Sequence, residues 1–338
     1  MSEMRNLITD VPGVRVGHAG GQKLGSGTTV IIFDHPVAAS VDVRGGGPGT
    51  RETALLDPAQ TVEGVDAIVL SGGSAFGLDA ASGTQAYLRE TGRGFRVREA
   101  QVPIVPAAIL FDLLSGGDKN WGRYPPYREF GYDAATTASN DEFALGSVGA
   151  GLGATTVNLK GGIGSASART SSGHIVGALA AVNAAGSVTV GNSPHFWAAP
   201  FEQGDEFGGR GVSPAFGPDA FEMRTKGAPG QNTTLAVIAT DAKLSKAQCK
   251  RLAVMAQTGM ARAIYPVHTP LDGDIVFAAA TGFKELGDKD LENPIYDLTE
   301  LGMVAANVLA RAIARGVYEA RPLNFPAALA SWMDCHGH

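Results

Sequence analysis

Short apolar runs broken by glycine fill the first half of the chain, and longer runs with helical spacing fill the last third. Residues 28–33 and 38–43 read as strands, the second running into Arg44-Gly45-Gly46-Gly47-Pro48-Gly49. Residues 67–70 read as a buried strand ending at Ser71-Gly72-Gly73-Ser74, with a helix expected over 78–90. Residues 103–114 are apolar with two prolines, a strand leading into a segment of unassigned type. Residues 118–141 are rich in Gly, Tyr, Pro and Asn and read as one long irregular stretch, of the kind that serves as a lid or is disordered.

Strands are expected at 150–156, 165–170, 175–182 and 187–190. Residues 191–230 hold many Pro, Gly and acidic residues without a period, which suits an exposed, cuttable linker and equally an ordinary disordered loop. An apolar strand follows at 233–240. Ser245 with Gln248 forms a capping box, Leu244 can staple it, and the helix is expected to stop near Gly259. A strand at 275–280 and an amphipathic helix at 299–315, carrying Leu301, Val304, Ala305, Val308, Leu309 and Ala312, complete the pattern. Blocks of strands flanked by helices imply an α+β layered sandwich with substantial antiparallel sheet.

Composition narrows the function classes. The 338 residues are 44% hydrophobic and 18% charged, enough for a full core without staples. The net charge of −6 comes with no basic stripe, so nucleic acid is not an expected partner. Cys249 and Cys335 lie far apart without metal-type spacing, which suggests a reducing compartment. Residues 1–13 carry charges and Pro12 but no apolar core of a signal sequence, and no apolar run reaches membrane-spanning length. A cytoplasmic location is the resulting expectation. The seven histidines show no paired metal spacing, and neither a metal nor an organic cofactor is expected.

The candidate chemistry centres on Asn232-Thr233-Thr234 and Asp272-Gly273-Asp274. A mid-chain threonine hydroxyl has no assured base. Cleavage before Thr233 would create an α-amino group beside that hydroxyl, a recognised activated pair. Asp272 and Asp274, two apart in extended chain, project to one face and could orient the ammonium. Each residue also has a plain alternative. Asp-Gly is common turn chemistry, and a threonine starting a strand is mostly structural. Lys160 is either a solvated turn lysine or a cation acting on a neighbouring amine. Asn183, ending an apolar run, is either a turn residue or an oxyanion-hole donor. Ser74 in Gly72-Gly73-Ser74-Ala75-Phe76 fails as a nucleophile elbow, because Phe76 stands where the motif needs Gly. The glycine runs at 45–49 and 71–73 match no nucleotide fingerprint, so close backbone packing is their expected use.

These residues carry a resemblance. Val14–His18, 43–49, 72–78, 149–151, 160–164, Asn232-Thr233-Thr234 and 268–277 resemble the DmpA-like L-aminopeptidase/D-esterase family, which includes β-aminopeptidases and 6-aminohexanoate-oligomer hydrolases. Asn-Thr-Thr combined with His-Thr-x-x-Asp-Gly-Asp looks closer to the nylon-oligomer branch. The resemblance implies one domain over 1–338, cut into an α chain of 1–232 and a β chain of 233–338. It implies a four-layer αββα sandwich similar to N-terminal-nucleophile hydrolases but differently connected, and a homo-oligomer of four αβ units. It assigns the nucleophile to Thr233, the carboxylate pair to Asp272 and Asp274, the site lysine to Lys160 and the oxyanion asparagine to Asn183. Phe111 aligns with a family tyrosine whose hydroxyl it lacks.

Three functions follow from this reading. One is a self-processed threonine amidohydrolase acting on small peptides or amides with a free terminal amine. Another is an acyltransferase with the same nucleophile. The last is a non-enzymatic, glycine-rich ligand-binding protein.

Overall fold

Three separate apolar cores define the layers of the molecule. The computed structural model describes residues 4–224, 226, 232–287, 294–326 and 328–337. Its strands are β1 (Val14–Gly21), β2 (Ser26–Val43), β3 (Gly49–Arg51), β4 (Val65–Ser71), β5 (Phe95–Val97), β6 (Ala100–Val102), β7 (Ala107–Ile109), β8 (Ile163–Arg169), β9 (Ile175–Asn183), β10 (Thr233–Ala242) and β11 (Ile275–Lys284). Its α-helices are α1 (Ala80–Glu90), α2 (Tyr127–Thr136), α3 (Lys246–Ala263), α4 (Pro294–Tyr318) and α5 (Trp332–His336).

Nine strands follow the order β3-β7-β4-β2-β11-β10-β9-β8, with β1 paired to β2; β5 and β6 form a separate ribbon. Alternation along the strands separates the cores. On β10, Ala236 and Ile238 face one core and Leu235 and Val237 another. The first core joins β8–β11 to α3 and α4 through residues such as Leu252, Met260, Leu309 and Ile313. The second lies between strands, joining Leu179, Leu235 and Phe277 to Ile31, Phe33, Ile68 and Leu70. The third joins Val30, Ile32, Ala67 and Val69 to Leu88 of α1 and Tyr127 of α2. The order helix, sheet, sheet, helix is therefore the expected α+β, four-layer αββα sandwich. Strand β2 links the two sheet layers. It pairs with β4 up to Ile32, shifts register before Val37, and then pairs with β11 from Ala38 to Val43.

Several local expectations change. The two strands expected at 28–33 and 38–43 are one strand that bends at the exposed Asp34-His35-Pro36 corner. The stretch 118–141 contains α2, whose buried face uses Tyr127, Gly131, Ala134 and Ala135, mostly small residues that mute the apolar signal. Residues 150–156 are not a strand; a 3-10 turn at Gly149–Gly151 occupies their start. Residues 187–190 make isolated bridges to Tyr265 and Phe196 and no strand.

Described residues between 191 and 224 are no loose linker. Phe196, Ala198 and Phe207 are buried in the first core, and Trp332 stacks on Phe196. Residues 225 and 227–230 of that expected linker lie outside the described residues. Helix α3 starts with the capping box that the sequence predicts, Ser245 Oγ accepting from the Gln248 N–H. It runs through Gly259 to Ala263 instead of stopping. Among the described residues, no helix is long and apolar enough to cross a membrane.

Gly259 is there for contact with α4. A Cβ at this position would overlap the Ala306 carbonyl oxygen and meet the Leu309 side chain. In an open helix, Gly to Ala stabilises by about 1 kcal/mol. Gly259→Ala is expected to have the opposite sign, lowering the midpoint of thermal unfolding through the overlap. A raised midpoint in a calorimetric scan would show that α3 and α4 do not approach this closely.

Candidate active site

The Asn232–Thr233 peptide sits where β10 begins, beside the turn that opens β11. The two strands are parallel, with Leu235 opposite Ile275. Asn232 bridges to Asp272 just before that register. This pairing directs the Gly273 N–H onto the Asn232 carbonyl oxygen at 2.9 Å. The Thr233 hydroxyl also donates to the Asn232 carbonyl oxygen. Two donors therefore converge on one carbonyl, and one of them is the hydroxyl next to its carbon. Thr233 is 3% exposed, so bulk water has little access to that bond.

Glycine is required on the other side of the junction. A Cβ at Gly273 would lie 2.7 Å from the Thr233 hydroxyl and 2.8 Å from the Gly47 carbonyl oxygen. The run Gly45-Gly46-Gly47 packs on the same turn, with the Gly47 N–H donating to the Asp272 carbonyl at 2.7 Å. A Cβ at Gly45 would overlap the Asp274 nitrogen. Close backbone approach is thus the use of this glycine run.

Asp272 and Asp274 flank the junction and are both 1% exposed. Asp274 Oδ1 accepts from the Thr234 N–H at 2.8 Å. Its Oδ2 accepts from the His268 N–H at 3.0 Å and lies 2.9 Å from His268 Nδ1. Asp272 Oδ1 accepts from the Ala185 N–H at 3.1 Å, and its Oδ2 from the Thr269 hydroxyl at 2.7 Å. Burial, and next the nearby Asp274 charge, raise the Asp272 carboxyl above its ordinary range. The turn and the pair of carboxylates coexist: the Asp272 N–H closes onto the Thr269 carbonyl while the side chains brace the junction.

Asn183 ends β9 directly opposite Thr233. Its Oδ1 accepts from the Thr155 N–H at 3.0 Å and from Lys226 Nζ at 2.7 Å. Two donors on one end fix the amide orientation, so Nδ2 is the donor end; it bonds the Phe111 carbonyl at 3.1 Å. Lys160 is 2% exposed, which rules out the solvated turn lysine. Its Nζ donates to the carbonyls of Gly151, Ala154 and Gly161 at 3.0, 2.7 and 2.7 Å. These use all three ammonium protons. Burial pushes its pKa down to about 7, against the opposing pull of Asp112.

A cavity of about 200 Å³ opens beside these groups, lined by Phe111, Leu114, Ser115, Gly153, Thr155, Lys160, Lys226, Leu323, Ala328 and Leu329. Phe111 offers it a ring, and Ser115 and Thr155 are the hydroxyl residues of its wall. Beneath lies Asp112, fully buried, accepting from the Ser26 hydroxyl at 2.6 Å and the Gly73 N–H at 2.8 Å. Burial raises its pKa, opposed by Ser26 and Lys119. Sequence reasoning missed Asp112, though it is the one charged residue in 104–114. It also missed Lys226, which nothing in its Gly- and Pro-rich surroundings singles out, and Gly273 as a donor. No group of three His, Cys, Asp or Glu among the described residues is placed to hold a metal.

Comparison with known proteins bears on the family and the fold. The model of peptidase family S58 matches residues 6–328. An uncharacterized aminopeptidase of Mycobacterium tuberculosis is 46% identical over 335 residues, covering 94% of this chain and 95% of that protein. A 6-aminohexanoate-oligomer endohydrolase of Kocuria sp. is 28% identical, covering 91% of this chain and 84% of that protein. The L-aminopeptidase D-Ala-esterase/amidase of Ochrobactrum anthropi, described as a variant of the Ntn hydrolase fold, superposes with a TM-score of 0.72 at 20% identity, over 99% of this chain and 93% of that one. At that identity the likeness concerns the fold.

The carboxylates also brace structure. Asp274→Ala would strand the Thr234 and His268 donors in a dry site, at about 1–3 kcal/mol per group. We expect an unfolding free energy lower by about 3 kcal/mol, with Asp274→Asn, which keeps one acceptor, less affected. Urea denaturation of both variants measures it. Equal, unchanged midpoints would remove Asp274 from the brace.

Proposed function

This chain belongs to peptidase family S58, and from that premise we propose a self-cleaving hydrolase that uses Thr233 as an N-terminal nucleophile on amides bearing a free amine. The observation that carries the reading is the Asn232 carbonyl, held by the Gly273 N–H while the Thr233 hydroxyl contacts it.

Processing begins when Thr233 Oγ attacks the Asn232 carbonyl carbon. The Gly273 N–H stabilises the charge developing on oxygen. The carbon–nitrogen bond breaks, the hydroxyl proton passes to the departing nitrogen, and Asn232 is left as an ester on Thr233. Water hydrolyses that ester, giving a 1–232 chain ending in a carboxylate and a 233–338 chain starting with an amine.

Turnover repeats the same chemistry on a substrate. The α-amino group takes the Thr233 proton as Oγ attacks the amide carbon. The donor end of Asn183, opposite Thr233 on β9, exchanges its bond to the Phe111 carbonyl for the oxyanion. The proton then goes to the leaving amine, and water releases the acyl group. Asp272 and Asp274 hold the new N-terminus in a negative field. Lys160 adds buried positive charge nearby. The cavity of about 200 Å³ lined by Thr155, Lys160 and Lys226 is the space assigned to a small peptide or an ω-amino amide. The names of the aminopeptidase and oligomer-hydrolase relatives support this class, and a non-enzymatic binding role has no such support.

Intact-mass measurement of the purified protein should give two chains divided between Asn232 and Thr233. Thr233→Ala should give one, because it has no hydroxyl for the acyl shift. Two chains in that variant would sink self-cleavage.

The pH dependence has a definite sign. An unperturbed α-amino group titrates at about 7.7–8.0, and only its neutral form accepts the Thr233 proton. As pH falls below its pKa, kcat/KM should fall about tenfold per pH unit. Neighbouring lysines move that limb to lower pH and the carboxylate pair to higher pH. A rate flat on the acid side, measured with an aminohexanoate oligomer or aminoacyl amide, would exclude the amine as base.

A further inference from the structure

We propose that the Lys226 side chain is a built-in occupant of a primary-ammonium subsite, formed by the Thr155 carbonyl and the Asn183 side-chain oxygen, which holds the substrate amine once the chain is cut. That this subsite serves a substrate rests on the hydrolase reading above.

Lys226 is half-buried, and its amine reaches two protein oxygens. Nζ donates to the Thr155 carbonyl at 3.0 Å and to Asn183 Oδ1 at 2.7 Å. It lines the same cavity as Phe111, Ser115 and Lys160. The acceptors are rigidly held, Asn183 by the β9–β10 pairing and by the Thr155 N–H. Asp112 and Asp272 both exert an attractive field on the ammonium. The site is therefore arranged for a cation.

Lys226 is a poor permanent tenant. No carboxylate touches its ammonium among the contacts described, and the buried Lys160 repels it. Burial pushes its pKa down to about 7. It stays through its covalent tether. The Lys226 carbonyl accepts from Asn232 Nδ2 at 2.8 Å, so the lysine is tied to the residue on the N-terminal side of the proposed cut. Cleavage leaves that hydrogen bond within the 1–232 chain but frees Asn232 from Thr233, so Asn232 and Lys226 are no longer pinned to β10. The acceptors then lose their lysine, with Asn183 directly opposite Thr233 in the β9–β10 register. A ligand bringing a primary ammonium on a short aliphatic arm replaces like with like: n-butylammonium is the lysine side chain itself.

The test compares Thr233→Ala with the double variant Thr233→Ala/Lys226→Ala, both checked by mass to be uncut. n-Butylammonium chloride is titrated into each, with n-butanol as the neutral control. The double variant should show a saturable rise of about 2 °C or more in Tm. The Lys226-containing chain and both butanol series should show none. An equal response in both proteins, or none in either, overturns the proposal.

A second readout does not depend on how the double variant folds. Acetylation by a water-soluble N-hydroxysuccinimide ester, read by peptide mass spectrometry, should leave Lys226 at least tenfold less modified in uncut Thr233→Ala than in the cut wild type. Similar labelling in the two also overturns the proposal. A wild type that is never cut would refute the self-cleavage reading, while the butylammonium comparison would still report on the subsite.

Discussion

The parallel pairing of β10 with β11 is the constraint on which the site depends. It sets Asn232 against Asp272, brings the Gly273 N–H to the Asn232 carbonyl, and lets Asp274 accept from the Thr234 N–H. Antiparallel pairing to β9 on the opposite side supplies Asn183. One strand end thus meets a donor turn on one side and an amide on the other. The strands have no freedom to slip, because their alternate residues fill two different cores and a one-residue shift would exchange those faces. Placement of the junction is a consequence of packing in the middle of the sandwich.

Two buried lysines are held on backbone oxygen, whereas buried Arg311 is held by an ion pair with Glu206. Lys160 ends on three carbonyls, as does Lys246, which reaches Leu55, Gln60 and Val62. Such lysines tie loops to strands and keep a positive charge where water is scarce. At the site this puts Lys160 and Lys226 in the field of Asp112, with Asp272 also acting on Lys226. An N-terminal amine formed there would feel both signs, which is how a protein tunes a base toward neutral pH.

The site was partly legible in the sequence because its chemistry comes in short motifs. Asn232-Thr233-Thr234 and Asp272-Gly273-Asp274 are local patterns, and the structure brings them together. The layered fold was legible from strand blocks and the two strong helices α3 and α4. Features that depend on distant contacts were not. Helix α2 hides because Gly131, Ala134 and Ala135 pack by being small. Gly259 reads as a stop but is a helix crossing. The stretch containing Phe196 and Phe207 reads as linker because its apolar residues are sparse, yet they are core. Lys226 acquires meaning only when the chain folds back over Asn183.

The claim that Thr233 is the nucleophile is tested most directly by trapping the acyl group. Purified protein is mixed with an aminoacyl ester, quenched in acid within the first turnovers, digested and mapped by tandem mass spectrometry. The account predicts the acyl mass on the side-chain oxygen of a peptide whose first residue is Thr233. An adduct on any other residue, or turnover by protein that retains an intact Asn232–Thr233 bond, would contradict it.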